Sequence, residues 1–512
     1  MPDTQALTHC IQKNFEFQDL GCRKVVADFS GGHLSSDGGV LLLREMDQRL
    51  GLSRRLSGCF LDRRDQSLIE HKLETLVAQR VYGIALGYED VNDHDRLRRD
   101  PLFAAGCGRE DLLGEQRRLT RDSGRPLAGK STLNRLELGA REHHGHYRKI
   151  QPDADRIEDL LVDMGVKSIS RKSRVIVLDF DATDDKIHGG QEGRFYHGYY
   201  RSYCYLPLYA FCGDIPLWAE LRKSDRDASK GTLEALEKIH RAIRRRFGRK
   251  VTVIVRGDSG FCRDELMNWI EGQKGMHYCF GLARNARLER MLEGAFDEVL
   301  DELGYEELVL AAKAAGASEV PGIEALKDCG SVRRYVELRY RTLKSWSRER
   351  RVIGKAEVTN GKKNPRYIVT DIRGDEDWAR GKAEYADGKS LYEKFYCARG
   401  DMENRIKEQQ LDLFADRTST RYMASNQLRL WMSTFAYLLV SRLREVALKG
   451  TRLGSATVGS IRTHLLKIAA QVTVSVRRVY VRLASASPAA DVFAVAQARL
   501  RGLPSDCWIG SG

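Results

Sequence analysis

RVIVLDFDATDD (174–185) is the stretch on which the fold turns. Its first seven residues are a short run rich in β-branched side chains, which reads as a buried strand. The chain leaves that strand at Ala182-Thr183, setting Asp181 at its exposed mouth. Asp179, two residues earlier, faces the same side because strand side chains alternate. Downstream, YCYLPLYAF (203–211) and PLWAELR (216–222) read as two further strands joined at Gly213 and Asp214. Residues 229–247 read as a helix ending at Gly248, VTVIVRG (251–257) as a fourth strand, 263–273 as a helix, and HYCFGLA (277–283) as a fifth strand. The order is β-β-β-α-β-α-β.

That order predicts an α/β, ribonuclease-H-like mixed sheet whose first and fourth strands lie side by side. Strand-helix-strand connections return parallel and right-handed, and ligands collect at the carboxyl ends of such strands. Asp181 closes the first strand and Asp258, in VRGDSGF (255–261), closes the fourth, so the two are expected to meet. Residues 1–170 read as a mainly helical region suited to DNA binding, and 171–283 as the first part of the core. Residues 284–395 form a β-rich insertion with a hairpin turn at Asn360-Gly361. Residues 396–450 return to core helices, and 451–512 form a C-terminal region. Within 1–170, Ser36 and Asp37 are expected to cap a helix running to Leu50, and Gln66 to Leu86 to form another.

The 512 residues carry 85 Lys and Arg against 71 Asp and Glu, a net charge of +14. A surplus of that size favours a polyanionic partner. The opening MPDTQALTHCIQKNF lacks the pattern of a secretion signal, and no run reaches the about 18 apolar residues of a bilayer span. Nucleic acid is therefore the expected partner, with no membrane. The 11 cysteines contain no CxxC pair, which argues against a disulfide framework or zinc ribbon and fits a cytoplasmic protein.

A third carboxylate comes from YCARGDMENRIKEQQ (396–410). Read as a helix, it brings Arg399, Glu403, Lys407 and Gln410 to one face, with Tyr396 a turn before. Hard divalent cations take oxygen ligands, and two of them about 4 Å apart can drive phosphoryl transfer on DNA. Loop-capping aspartates and an exposed helix laced with ion pairs would explain each element singly; their combination is what points to a metal site. Asp179 is the reserve ligand should the strand register differ by two. In the insertion, Arg333, Arg334, Arg339, Arg341, Lys344, Arg348, Arg350 and Arg351 lie among Tyr335, Tyr340 and Trp346. That pattern suits phosphate contact with base stacking as well as it suits a solvated strand face.

Tyr396, two residues, Arg399, three residues, Glu403 resembles the Y-R-E signature of the DDE transposases of bacterial insertion sequences. DAT (181–183) is similar to their first-Asp motif and RGDSGF (256–261) to their second, with NQLRL (426–430) and HGGQEGRFYHGYY (188–200) adding to the likeness over about residues 25–490. The resemblance implies that Asp181, Asp258 and Glu403 bind two Mg2+ or Mn2+ ions, and that Tyr396, Arg399 and Lys407 contact DNA phosphates. It also makes Trp346 the aromatic that stacks a flipped base. The family's Lys seven positions after the Glu is absent; Gln410 stands there, and Lys407 lies one turn nearer. The implied activity is metal-dependent cleavage of double-stranded DNA at terminal inverted repeats and strand transfer into target DNA, by a homodimer on DNA in a bacterial cytoplasm. The alternatives are a nuclease or resolvase that only hydrolyses, and a non-catalytic DNA-binding derivative.

Overall fold

The computed structural model describes residues 14–139, 149–315 and 319–503. Of the opening stretch MPDTQALTHCIQKNF, residues 1–13 lie outside the described residues. The first five core strands are β1 (Val175–Ala182), β2 (Leu208–Cys212), β3 (Ile215–Glu220), β4 (Thr252–Gly257) and β5 (Met276–Leu282). They lie in the order β3-β2-β1-β4-β5. β4 runs parallel to both β1 and β5, whereas β2 is antiparallel to β1 and β3. This is the ribonuclease-H-like mixed sheet that the strand order predicts.

The insertion extends the same sheet. Its strands β6 (Ser331–Tyr340), β7 (Arg350–Thr359) and β8 (Arg366–Thr370) continue it beyond β5 in the order β8-β7-β6. The join pairs Cys279 with Thr370 and Phe280 with Val369, antiparallel. A bare β5 edge would leave its amides unpaired, and β8 supplies their partners. The turn at Asn360 and Gly361 has positive φ at both residues, 51° and 67°, as a tight hairpin requires.

The stretch 203–211 is not one strand. Ser202–Tyr205 pairs with Phe195–His197 and Asp185–Lys186 in a small three-stranded sheet, and the core strand β2 begins only at Leu208. Pro207 has no N–H to give a ladder, so the pairing changes sheets there.

Alternation along β1 and β4 gives the sheet two chemically different faces. Leu178, Phe180, Val253 and Val255 pack on one face against α4 (Thr232–Phe247) and α5 (Asp264–Glu271), through Leu236, Ile239, Ile243, Met267 and Ile270. These two helices follow, in chain order, α1 (Val40–Leu50), α2 (Leu73–Ala85) and α3 (Ala154–Ser168), and precede α6 (Glu293–Glu302). On the other face Ile254, Cys279, Ile353 and Ile368 meet Tyr385, Leu391 and Phe395. The same parity places Asp179, Asp181, Arg256 and Asp258 on this second face. Covering it is an irregular helical run in which α7 (Gly400–Lys407) is flanked by π-helical turns at Leu391–Tyr396 and Glu408–Asp412.

The N- and C-terminal regions form one body around α8 (Met423–Leu443), which is buried along most of its length and packs against α1, α2 and β3. His33–Ser35 pairs with Ala470–Val474. The N–H groups of Gly38 and Gly39 donate to the carbonyls of Ile468 and Leu466 at 2.8 and 3.0 Å. A Cβ on Gly39 would sit 2.4 Å from the Leu466 Cα, so this crossing requires glycine. Glu137, fully buried, is held by Arg80 at 2.7 Å and by Arg429 of α8 at 2.6 Å.

Three local expectations change. Helix α1 starts from Gly39 without a side-chain cap; Asp37 instead accepts from Lys467 Nζ at 2.6 Å and from the Tyr88 hydroxyl at 2.8 Å. Gln66–Leu68 is a separate turn capped by Asp65, and α2 begins only at Leu73. Besides its helices, the region up to residue 170 carries short strands, among them the hairpin of Phe15–Leu20 with Arg23–Ala27. Among the described residues no helix is long and apolar enough to cross a membrane.

Candidate active site

The parallel register pairs Arg256 of β4 with Asp179 of β1, so Asp258, two residues on, lies level with Asp181. Asp181 Oδ1 accepts from the Ala182 N–H at 2.9 Å, and Asp258 Oδ1 from the Gly260 N–H at 2.8 Å, which fixes both carboxylates at the strand ends. Above them α7 presents Glu403, whose side chain is 50% exposed, against 14% for Asp181. The third carboxylate thus stands at the open mouth and the first at the floor.

Arg399 joins them. Its guanidinium lies 3.9 Å from Asp181 and 3.8 Å from Glu403. Burial works against its charge, and Asp181, Tyr396 and Asp258 more than offset that, holding Arg399 above its ordinary value. Even so the pocket is short of positive charge. Burial pushes the Asp181 carboxyl up to about 7; Arg399 pulls it down, while the charges of Asp258 and Glu403 add to the rise. Among the described residues, no three acidic, His or Cys side chains stand close enough to hold one ion, and Arg399 lies within 4 Å of both Asp181 and Glu403. The donor set itself, carboxylate oxygens short of positive charge, fits hard divalent cations.

Asp179, the reserve ligand, is otherwise engaged. Arg256 donates to it from Nε at 2.6 Å and from Nη2 at 2.8 Å, with both side chains buried. Burial disfavours the Arg256 charge, but Asp179 outweighs it and raises the guanidinium above its usual value. Arg256 Nη1 also donates to the Phe395 carbonyl, and its Cζ lies 4.8 Å from the centre of the Phe395 ring. The pair therefore clamps β1, β4 and the π-helical turn that leads into Tyr396, Arg399 and Glu403. The sequence offers Arg256 only as a motif letter; its role depends on contacts across the sheet.

Trp346 does not stack outward. It is 4% exposed, lies edge-on to Tyr340 at 5.7 Å, and has Arg350 over its ring at 5.4 Å. Most of the arginines around it are paired within the protein: Arg333 with Glu357 and Glu393, Arg334 with Glu302, Arg350 with Asp264 and Glu271, and Arg351 with Glu337. A strand rich in arginine is here a strand rich in ion pairs. Lys407 is exposed on α7. Gln410 Nε2 donates to the Asp184 carbonyl at 3.4 Å, tying the end of the helix to the loop after β1.

Gly281 of β5 is a residue that the sequence reading passed over. A Cβ there would lie 2.6 Å from the Tyr396 hydroxyl, 2.9 Å from the Ser259 nitrogen and 3.2 Å from the Asp258 carbonyl carbon. A glycine inside an otherwise apolar strand was the available signal. Gly281→Ala is expected to push Tyr396 and the Asp258 loop apart. Overpacking of this kind costs about 1–3 kcal/mol, and a displacement near 1 Å at a reacting centre about a hundredfold in rate. Single-turnover cleavage beside a gel-shift assay should show lost rate with retained binding; a wild-type rate would remove Gly281 from the account.

The search of curated proteins gave no match. Among solved structures, a piggyBac transposase in a synaptic complex with hairpin DNA is similar at a TM-score of 0.38 and 10% identity, over 84% of this chain and 80% of that one. The family model described as transposase DDE domain group 1 matches residues 17–505. With that match running from the first described hairpin to the last helix, the chain belongs to the family of DDE-domain transposases.

Proposed function

We propose that this chain cuts double-stranded DNA at the terminal inverted repeats of a transposon and joins the freed ends to target DNA. Asp181, Asp258 and Glu403 are its catalytic carboxylates and the residues that would hold two divalent cations, Mg2+ or Mn2+. The observation that carries the reading is the under-neutralised carboxylate group at the ends of β1 and β4 beneath α7, with one arginine among three acids. When bound, the ions would neutralise phosphate charge and activate the attacking oxygen.

The remaining roles fall to the protein's own side chains. Arg399 lies between Asp181 and Glu403, and with those carboxylates neutralised by cations its donors would be available to a phosphate. Lys407, exposed two turns along from Arg399, adds a second phosphate contact on the same helix face. Tyr396, whose hydroxyl packs over Gly281 of β5, sets the height of its turn over the sheet. The net charge of +14 supplies the general attraction to DNA and makes binding weaken steeply with salt. Two ends must be held at once, so the working form is a homodimer on DNA.

Pre-cleaved ends incubated with supercoiled plasmid and Mg2+ or Mn2+ are expected to yield joined product, and none with EDTA. Hydrolysis without joining would favour a ribonuclease-H-like nuclease, and binding without either reaction a non-catalytic derivative.

A further inference from the structure

We infer that the hairpin leaving the candidate site beyond Asp185 is a stacking platform for unpaired DNA bases next to the carboxylates. The inference rests on the DNA-processing function proposed above and names a binding surface for it. The hairpin strands Phe195–His197 and Ser202–Tyr205 pair with each other, and the second also with Asp185–Lys186, so the platform is built directly onto the chain that leaves Asp181.

Isolated exposed hydrophobics are ordinary; here they come grouped from one element. Tyr196, Tyr199 and Tyr203 are 51%, 84% and 48% exposed. Tyr196 and Tyr203 are cross-strand partners with ring centres 5.5 Å apart, and the Arg194 guanidinium lies 5.0 Å over the Tyr203 ring. At the tip, Tyr199 and Tyr200 meet edge to face at 5.0 Å. Tyr200 is half-buried, and burial and then the charges of Asp184, Asp181, Tyr199 and Asp258 raise its phenol well above the ordinary value.

The rings are held apart from any core by the framework behind them. Cys204 and Tyr205 are buried, and the Tyr205 hydroxyl donates to the Glu192 carbonyl at 2.5 Å. Arg201 keeps the turn in the left-handed region at φ 51°, a conformation a non-glycine residue seldom adopts unless its surroundings impose it.

Solvent-exposed aromatic rings flanked by arginines suit a nucleic-acid strand whose bases are unpaired, because every base has a face to stack and every link a phosphate. Duplex DNA hides those base faces. The position of the platform beside the carboxylates suits the strand that is opened there, and the exposed Arg194 and Arg201 match its charge.

The test uses the full chain without divalent cations, so that nothing is cut. The probe is a short duplex with an oligothymidylate tail carrying 2-aminopurine. Binding is expected to quench the fluorescence. The double variant Tyr196→Ala, Tyr203→Ala should lose the quench and bind the tailed probe roughly 5- to 150-fold more weakly per lost stack, while its affinity for blunt duplex stays the same. Tyr196→Phe with Tyr203→Phe, which keeps the rings, should behave as wild type. The proposal is overturned if the alanine variant quenches normally, if the phenylalanine variant fails as badly as the alanine one, or if blunt-duplex binding falls by the same factor. It is equally overturned if the alanine variant keeps its tail affinity but sediments as a smaller species, which would make the face a contact between copies. Because the readout involves no cleavage, it can fail while the carboxylate assignment stands, and the reverse.

Discussion

Asp258→Ala is expected to lower strand cleavage by about a thousandfold or more while leaving binding of the end DNA within a few-fold. The magnitude follows from what the carboxylate group would hold: charge stabilisation worth several kcal/mol in the transition state, at about 1.4 kcal/mol for each factor of ten. The same substitution should change the stability of the fold only modestly. It removes a charge that adds to the rise burial causes at Asp181, but also an acceptor for the Gly260 N–H and a charge that favours Arg399, so gain and loss partly cancel; groups kept for function at a cost in stability are common at active sites. Thermal unfolding in metal-free buffer should therefore stay close to that of the wild type. A variant that is inactive and also unfolds early would mean that Asp258 serves the fold, and one that still cuts would remove it from the catalytic set.

Asp179→Ala should have the opposite signature. It leaves Arg256 charged and buried between strands, with only the Phe395 carbonyl and the ring beneath it. Removing one partner of a buried pair costs about 3–5 kcal/mol, which is a large share of a typical folding free energy. Denaturant titration of the variant should show a correspondingly lower midpoint. Replacing both members, Asp179→Leu with Arg256→Met, should recover much of that loss, since well-packed apolar side chains often match a buried ion pair. Cleavage should stay low in the double variant, because nothing then ties the π-helical turn to the sheet. If Asp179→Ala costs less than about 1 kcal/mol, the clamp is not what positions Tyr396 and Arg399, and a surface-like value of that size would need another explanation.

These two residues also show what was legible in the sequence. Asp179 and Asp181 share a face by strand period alone, and the αβ order brings Asp258 to the neighbouring strand; Arg399, Glu403 and Lys407 share a face by helical period. What periodicity cannot supply is which acid is already partnered. Asp179 is taken by Arg256 through the parallel register of β1 and β4, and only the sheet reveals that. Trp346 misled for a related reason: an aromatic among arginines looks like a nucleic-acid surface until the acidic partners Asp264 and Glu271, far earlier in the chain, are seen to claim Arg350 beside it. The joining of Gly38 and Gly39 to Leu466 and Ile468 spans nearly the whole chain, and no local pattern announces it. The hairpin at 195–205 was hidden by an apolar run that continues through Pro207 into β2, although the proline itself marked the break.

The most direct test of the central claim is anomalous diffraction from crystals of the full chain bound to a cleaved transposon end and soaked in Mn2+. The account predicts manganese peaks coordinated by Asp181, Asp258 and Glu403, with the Arg399 guanidinium withdrawn from between Asp181 and Glu403 and turned to a DNA phosphate. Manganese bound elsewhere, or a site in which Arg399 still bridges the two carboxylates with DNA in place, would contradict it.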